Sequence, residues 1–369
     1  MNEKLKIIIS GGGTGGHIFP AISIANEIRE REPNCEILFV GAEGRMEMER
    51  VPSAGYKIIG LPIMGFPRKP GIKTVTFFMK LAESLRRAHR LIKQFKPDVV
   101  VGVGGYASGP VLRKANKLKF PSLIQEQNSY AGLTNRLLAK KADKICVAYN
   151  NMEKYFPAGK IVYTGNPVRK DLLNVKNRIE EARAFYQLDK NKKVLLVVGG
   201  SLGARTLNDS LFQNIEMLKN SNVEVIWQTG KYYYNSILEK TANMELPNIH
   251  IHQFLSRMDL AYAVADLVVS RAGAGTISEL CLTGCPTILV PSPNVAEDHQ
   301  AKNAMALVEQ NAALMISDAD APLLLVSEAL NLLNNEQQLS SLSHNISLLA
   351  KPNAAADIVT LILELAKKK

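Results

Sequence analysis

KIIISGGGTGGHIFPAISIANEIRER, residues 6–31, decides the architecture. Five residues rich in isoleucine read as a buried strand, and the glycines after them read as a tight loop. Residues 20–31 then place Ile22, Ala25 and Ile28 on one face of a helix. Strand, glycine loop and helix in this order open a parallel βαβ unit, where loop amides and a helix N-terminus can face a phosphate. Gly11, Gly13 and Gly16 also satisfy the GxGxxG spacing of dinucleotide binders.

Outward from this stretch the same alternation continues. Strands are expected at 36–40, 98–103, 122–125, 144–147 and 161–164, which together with 6–10 make one doubly wound sheet. After GNPVRKDLL (165–173) the pattern restarts with a strand at 193–198, the loop GGSLGAR and a helix beginning near Thr206. Further strands are expected at 224–228, 248–252, 267–270 and 287–290, and a last helix at 354–369. The chain therefore reads as α/β with two Rossmann-like halves. Pro167 marks a boundary, giving domains of 1–165 plus 353–369 and of 166–352.

A chain of 369 residues exceeds one comfortable core, in agreement with two domains. The four cysteines lack a paired framework or zinc spacing, so small buried thiols in a reducing compartment are expected. MNEKLKIIIS is too short an apolar run for a signal peptide, and no stretch reaches the roughly 20 apolar residues that span a bilayer. A cytoplasmic location follows as an expectation. The net charge of +11 calls for an anionic partner. It is concentrated locally, since residues 68–96 hold nine Lys or Arg against one acid, Glu83.

Two more glycine loops follow expected strands: GVGGYASGP (102–110) and GGSLGA (199–204). Three such loops imply a cleft that holds more than one phosphorylated group. In RAGAGTISEL (271–280) a strand ends in small residues that lead to a helix, and a diphosphate fits on that helix N-terminus. Glu279 lies one turn inside. Its carboxylate either accepts from the hydroxyls of a ribose or closes a T-x-x-E capping box with Thr276.

GGGTGGHIFPA, GVGGYASGP, QEQNSYAGLTNRLL, GNPVR, GGSLGAR and RAGAGTISEL stand in the order found in the MurG family, which the chain resembles from about residue 7 to 303. The resemblance implies the GT-B fold, two Rossmann-like domains facing across a cleft. It implies an inverting, metal-independent glycosyltransferase of peptidoglycan synthesis that needs no cofactor. Such an enzyme moves N-acetylglucosamine from UDP-GlcNAc to lipid I, undecaprenyl-pyrophosphoryl-MurNAc-pentapeptide, forming lipid II. By the same resemblance Thr14, Gly15, Gly16, Asn128, Arg169, Ser201, Leu255 and Gln300 belong to the donor site, Leu255 meeting the uracil through its backbone. Ala274, Gly275, Thr276, Ile277, Ser278 and Glu279 correspond to the phosphate-binding helix start and its ribose-binding glutamate. Gly13, Gly104, Gly105 and Tyr106 fall to the acceptor. Leu202 stands where many relatives have glutamine, and the loop 292–296 departs from the family's phenylalanine-containing one.

Inverting transfer needs a base for the attacking hydroxyl. His17, expected near a helix N-terminus that disfavours the imidazolium, is one candidate, and Glu126 is the other. Asp318 and Asp320 have a DxD spacing but are expected to be solvated acids. The apolar Ile72, Val75, Phe77, Phe78, Met79 and Leu81, interleaved with or followed by Lys69, Lys73, Lys80, Arg86, Arg87 and Arg90, suit docking on anionic inner-membrane lipids. Phe77 and Leu81 at helical spacing also suit a core. The expected location is thus peripheral, on the cytoplasmic face of the inner membrane, with UDP-GlcNAc, lipid I, anionic lipids and other cell-wall synthesis proteins as the expected partners and no nucleic acid. Competing readings are a nicotinamide-dependent oxidoreductase using Glu43, a GT-B relative with a diacylglycerol acceptor, a sugar-nucleotide epimerase and a non-catalytic UDP-sugar-binding protein.

Overall fold

The computed structural model describes residues 4–67, 71–295 and 298–367. It divides into two compact units, Met1–Val168 with Lys351–Lys369, and Arg169–Ala350. Arg68 and Lys69 of the basic cluster, Ala296 of the loop 292–296, and Lys368 and Lys369 lie outside the described residues.

The first unit holds strands β1 (Lys6–Ser10), β2 (Glu36–Ala42), β3 (Lys57–Leu61), β4 (Val99–Gly102), β5 (Ser122–Glu126), β6 (Lys144–Val147) and β7 (Ile161–Tyr163). They form one sheet in the order β3-β2-β1-β4-β5-β6-β7, with every pair parallel. Alternation along β1 explains its apolar run. Ile7 and Ile9 face the helices Gly15–Arg31 and Ala354–Ala366, and Ile8 faces the side covered by the helices Ile72–Phe95 and Ser108–Lys117. A parallel sheet covered on both faces needs such unbroken hydrophobic strands. The last helix belongs to this unit, burying Ile358, Val359, Ile362 and Leu365 there.

The second unit holds β8 (Lys193–Val198), β9 (Val223–Gln228), β10 (Ile249–His252), β11 (Leu267–Ser270), β12 (Thr287–Leu289) and β13 (Leu314–Met315). Their order is β10-β9-β8-β11-β12-β13, again all parallel. Trp227 is fully buried in this core, and its indole N–H donates to Asn208 Oδ1 at 2.9 Å.

In both sheets the winding reverses between the first and fourth strands, β1 with β4 and β8 with β11. A crevice for ligands opens beyond the carboxyl ends of the strands at such a reversal. The loops 11–14 and 103–107 leave β1 and β4; the loops 199–204 and 271–273 leave β8 and β11. The topology alone therefore pairs the glycine loops two by two, one pair in each unit.

Candidate functional site

In the first unit the helix begins at Gly15, five residues before the expected start. His17 therefore sits inside its first turn. Its backbone N–H reaches Thr14 O at 3.1 Å, and its ring Nδ1 lies 3.1 Å from Gly12 O and 3.2 Å from Thr14 Oγ1. Gly11 N–H donates to Val40 O, and Gly13 N–H to the Glu47 carboxylate at 2.9 Å. Two amides of the loop are thus engaged inside the protein, and phosphate cradling by the whole 11–17 loop does not hold for them.

Gly104 and Gly105 both take positive φ, +90° and +82°. A Cβ on Gly105 would meet Gly12 O at 2.3 Å, and one on Gly104 would touch the His17 imidazole at 2.9 Å. Two backbone loops pack directly together here, which only glycine permits. Tyr106 next to them is half exposed, its ring lying over Gly65.

Glu126 ends β5 fully buried. Its Oε1 accepts from Asn128 N–H at 3.1 Å and Asn128 Nδ2 at 3.3 Å, and its Oε2 from Gly132 N–H at 3.0 Å and Asn135 Nδ2 at 2.9 Å. Burial pushes the carboxyl above its usual value, while these donors pull it down. Both oxygens brace the loop that carries Asn128.

In the second unit the helix Ala274–Thr283 starts directly behind β11 with Gly273 as its N-cap. Ile277 is buried, and Ser278 Oγ turns back to Ala274 O at 2.9 Å. The capping box is not formed. Instead, Glu279 Oε2 accepts from Tyr262 Oη at 3.0 Å, and Oε1 lies 3.9 Å from Arg169 Nε. Burial raises the carboxyl, opposed by Arg169 and the Tyr262 hydroxyl; Tyr262 itself is pushed far up by burial and by Glu279. A carboxylate held at the side of a helix N-terminus, next to an arginine 42% exposed, is equipped to bind a diphosphate and its vicinal diol together.

Around this helix start the other residues are fixed by polar contacts. Ser201 is exposed in the turn after β8, and its carbonyl accepts from Lys231 N–H at 3.1 Å. Leu255 is buried with its N–H 3.2 Å from Gln228 Oε1, while Gln228 Nε2 donates to Gly200 O at 2.9 Å. Gln300 Oε1 accepts from Ser292 N–H at 2.8 Å, tying the departing loop to the helix His299–Val308.

Asp318 is not a solvated acid. It pairs with Arg271 and accepts from Thr206 Oγ1 at 2.9 Å, and Arg271 also donates to Val290 O and Pro291 O. Asp320 is held locally, accepting from Ser317 Oγ at 2.6 Å. Glu43 pairs with Arg87 at 2.9 Å. Among the described residues no helix is long and apolar enough to cross a membrane. Along the helix Ile72–Phe95, Ile72 is 87% exposed and Met79 69%, with Val75, Phe78, Lys73 and Lys80 also exposed. Phe77 is half-buried against Phe66 and Phe78, and Leu81 packs on the core.

Glu47, Tyr262, Gln228 and Arg271 escape the sequence reading. Each acts through a partner distant along the chain, and only Glu47 leaves a trace: Gly12 and Gly41, both without room for a Cβ beside its side chain.

Residues 7–147 match the glycosyltransferase family 28 N-terminal domain and residues 194–359 its C-terminal domain. The chain is 58% identical over 367 residues to the UDP-N-acetylglucosamine--N-acetylmuramyl-(pentapeptide) pyrophosphoryl-undecaprenol N-acetylglucosamine transferase of Parabacteroides distasonis, covering 100% of both. The enzyme of that name from Cytophaga hutchinsonii is 53% identical, with 98% of this chain and 97% of the other covered. The crystal structure of MurG from Acinetobacter baumannii superposes with a TM-score of 0.79 at 30% identity, covering 98% and 99% of the two chains. A UDP-GlcNAc 2-epimerase from Neisseria meningitidis, at 15% identity and a TM-score of 0.66 over 98% and 100% of the chains, shares the fold alone.

Proposed function

The chain belongs to glycosyltransferase family 28, and from that premise we propose that it transfers N-acetylglucosamine from UDP-GlcNAc to lipid I, forming lipid II for peptidoglycan. The observation that carries this reading is the helix start at Ala274 with Glu279 held between Tyr262 and Arg169. There the diphosphate rests on residues 274–278, the ribose on Glu279, and Arg169 and Ser201 complete the nucleotide site. Leu255 offers its carbonyl to the uracil; its amide, now on Gln228, becomes available if that side chain turns away. Gln300 and Asn128 read sugar hydroxyls, with Thr14, Gly15 and Gly16 beside the transferred sugar.

Transfer is a single displacement. A hydroxyl of the acceptor sugar attacks the anomeric carbon, the bond from that carbon to the diphosphate oxygen breaks, and the configuration inverts. The hydroxyl proton goes to His17. Of the two candidate bases, geometry favours His17, because both Glu126 oxygens already hold loop amides and so serve to position Asn128. The leaving diphosphate takes its stabilisation from fixed helix dipoles and Arg169. Gly13, Gly104, Gly105 and Tyr106 shape the acceptor side.

The exposed apolar side chains Ile72, Val75, Phe78 and Met79 with Lys73 and Lys80 support peripheral docking on anionic lipid at the cytoplasmic face, where a lipid-linked acceptor is found. Incubation with UDP-GlcNAc and a lipid I analogue in the presence of EDTA tests the reading. We expect one N-acetylglucosamine in β linkage and undiminished turnover. Release of free sugar or of a 2-epimer, or loss of activity to EDTA, contradicts it.

A further inference from the structure

The Gly12–Gly13 peptide group makes two hydrogen bonds on opposite sides. Its N–H donates to Glu47 Oε2 at 2.9 Å, and its C=O lies 3.1 Å from His17 Nδ1. A carbonyl oxygen only accepts, so Nδ1 carries the proton and, in the neutral ring, Nε2 carries the lone pair. Glu47 is 1% exposed at the start of the helix Glu47–Ser53, and its other oxygen accepts from Ala42 N–H at 3.0 Å. The loop is shaped around this carboxylate: Gly12 has φ +149°, and a Cβ there would lie 2.2 Å from Glu47 Oε1.

We propose that Glu47 is a positioning residue for catalysis, acting on His17 through the single peptide group that joins Gly12 and Gly13. The inference rests on the reading of His17 as the base. A carboxylate at the N–H end polarises the amide, which makes the carbonyl end a stronger acceptor for Nδ1–H. Two effects follow. The tautomer that presents a basic Nε2 is selected, and the positive charge His17 acquires on taking the acceptor's proton is stabilised from behind. An acid hydrogen-bonded directly to histidine does the same work in hydrolase triads; here one backbone amide stands between them. Thr14 Oγ1 at 3.2 Å adds a second acceptor for Nδ1–H. On the opposite side the ring packs on Gly104, where a Cβ would also lie 3.7 Å from Asn135 Nδ2, and Asn135 in turn donates to Glu126 at 2.9 Å; the Tyr106 ring lies over Gly65. The glycine loop then has a chemical identity different from a phosphate cradle. A buried carboxylate behind it favours the positive charge that develops on the base in the transition state.

Glu47→Gln keeps the shape and removes the charge. We expect kcat to fall about 10- to 100-fold, less than the loss from removing the base itself. The acid limb of the kcat profile should move down by roughly one pH unit, as expected when an opposite charge is lost near a titrating group. UDP-GlcNAc affinity should stay at the wild-type value. Nitrogen-15 NMR of the wild-type imidazoles, with His17 identified through His17→Asn, reads the tautomer without depending on the variant's folding; the Nδ1–H form is expected. Wild-type kcat and an unmoved acid limb in Glu47→Gln, or an Nε2–H tautomer in the wild type, overturn the relay while the base reading stands. Full turnover in His17→Ala overturns the base reading, and the relay with it.

Discussion

Burial lifts the Glu279 carboxyl above its ordinary value, and Arg169 at 3.9 Å with the Tyr262 hydroxyl at 3.0 Å opposes the lift. The net direction has a consequence for the donor. A raised value means that the carboxylate is protonated at a higher pH than an unperturbed glutamate, and on the proposed reading the acceptor for the ribose hydroxyls goes with it. UDP-GlcNAc affinity should accordingly decline on acidification earlier than an unperturbed glutamate would cause. Glu279→Gln should bind about 10- to 100-fold more weakly near neutral pH, the effect of one or two hydrogen bonds to a charged group, and lose that acid-range dependence. Calorimetric titration across pH checks this; an unchanged affinity in the variant removes Glu279 from the ribose. At this scale the sequence was only partly informative. The motif 271–280 located the carboxylate, but a capping box and a ribose reader look alike in one dimension. Tyr262, seventeen residues upstream, takes the carboxylate at 3.0 Å and removes the capping box, while the ribose role is the one we propose. Glu47 was less legible still, because RMEMER has the charge pattern of a solvated helix turn while its first glutamate is buried under the glycine loop.

Elements were legible where the strand interior is apolar on both faces. β1, β6, β8 and β11 have the bounds expected from their β-branched runs. β3 and β13 were not anticipated, and both lie at sheet edges. Lys57–Leu61 alternates exposed and covered residues and contains Gly60, and Leu314–Met315 spans only two residues, too few to show a period. The helix Ile72–Phe95 divides along its length: Ser84, Ala88 and Ile92 are buried, and the apolar residues of its first two turns are mostly exposed. Exposure there separates Ile72, Val75, Phe78 and Met79 from a core reading, and leaves Leu81 to it. Membrane docking through this half should depend on charge as well as area, since each basic residue near an anionic surface contributes about 1 kcal/mol. Reversing Lys73 and Lys80 to glutamate should therefore weaken co-sedimentation with phosphatidylglycerol vesicles by at least tenfold while leaving UDP-GlcNAc binding intact. Co-sedimentation indifferent to those substitutions, or to the anionic lipid content, contradicts docking by this helix.

At the scale of the molecule, each unit repeats one device, a parallel sheet whose winding reverses beside two glycine-bearing loops. Equal topology does not give equal chemistry. In the Arg169–Ala350 unit the small residues behind β11 open a helix N-terminus with an arginine nearby, which suits a leaving diphosphate. In the other unit the glycines of the 11–17 loop accommodate a buried glutamate and hold a histidine, which suits proton transfer from an alcohol. The chain order of motifs revealed both folds and the family; which unit treats charge in which way depended on contacts between residues tens of positions apart. The central claim is that the nucleotide belongs to the helix start at Ala274. A crystal structure with UDP-GlcNAc bound tests it most directly: the diphosphate is expected on the amides of residues 274–278 with the ribose hydroxyls on Glu279, and a nucleotide seated instead on the 11–17 loop would contradict the account.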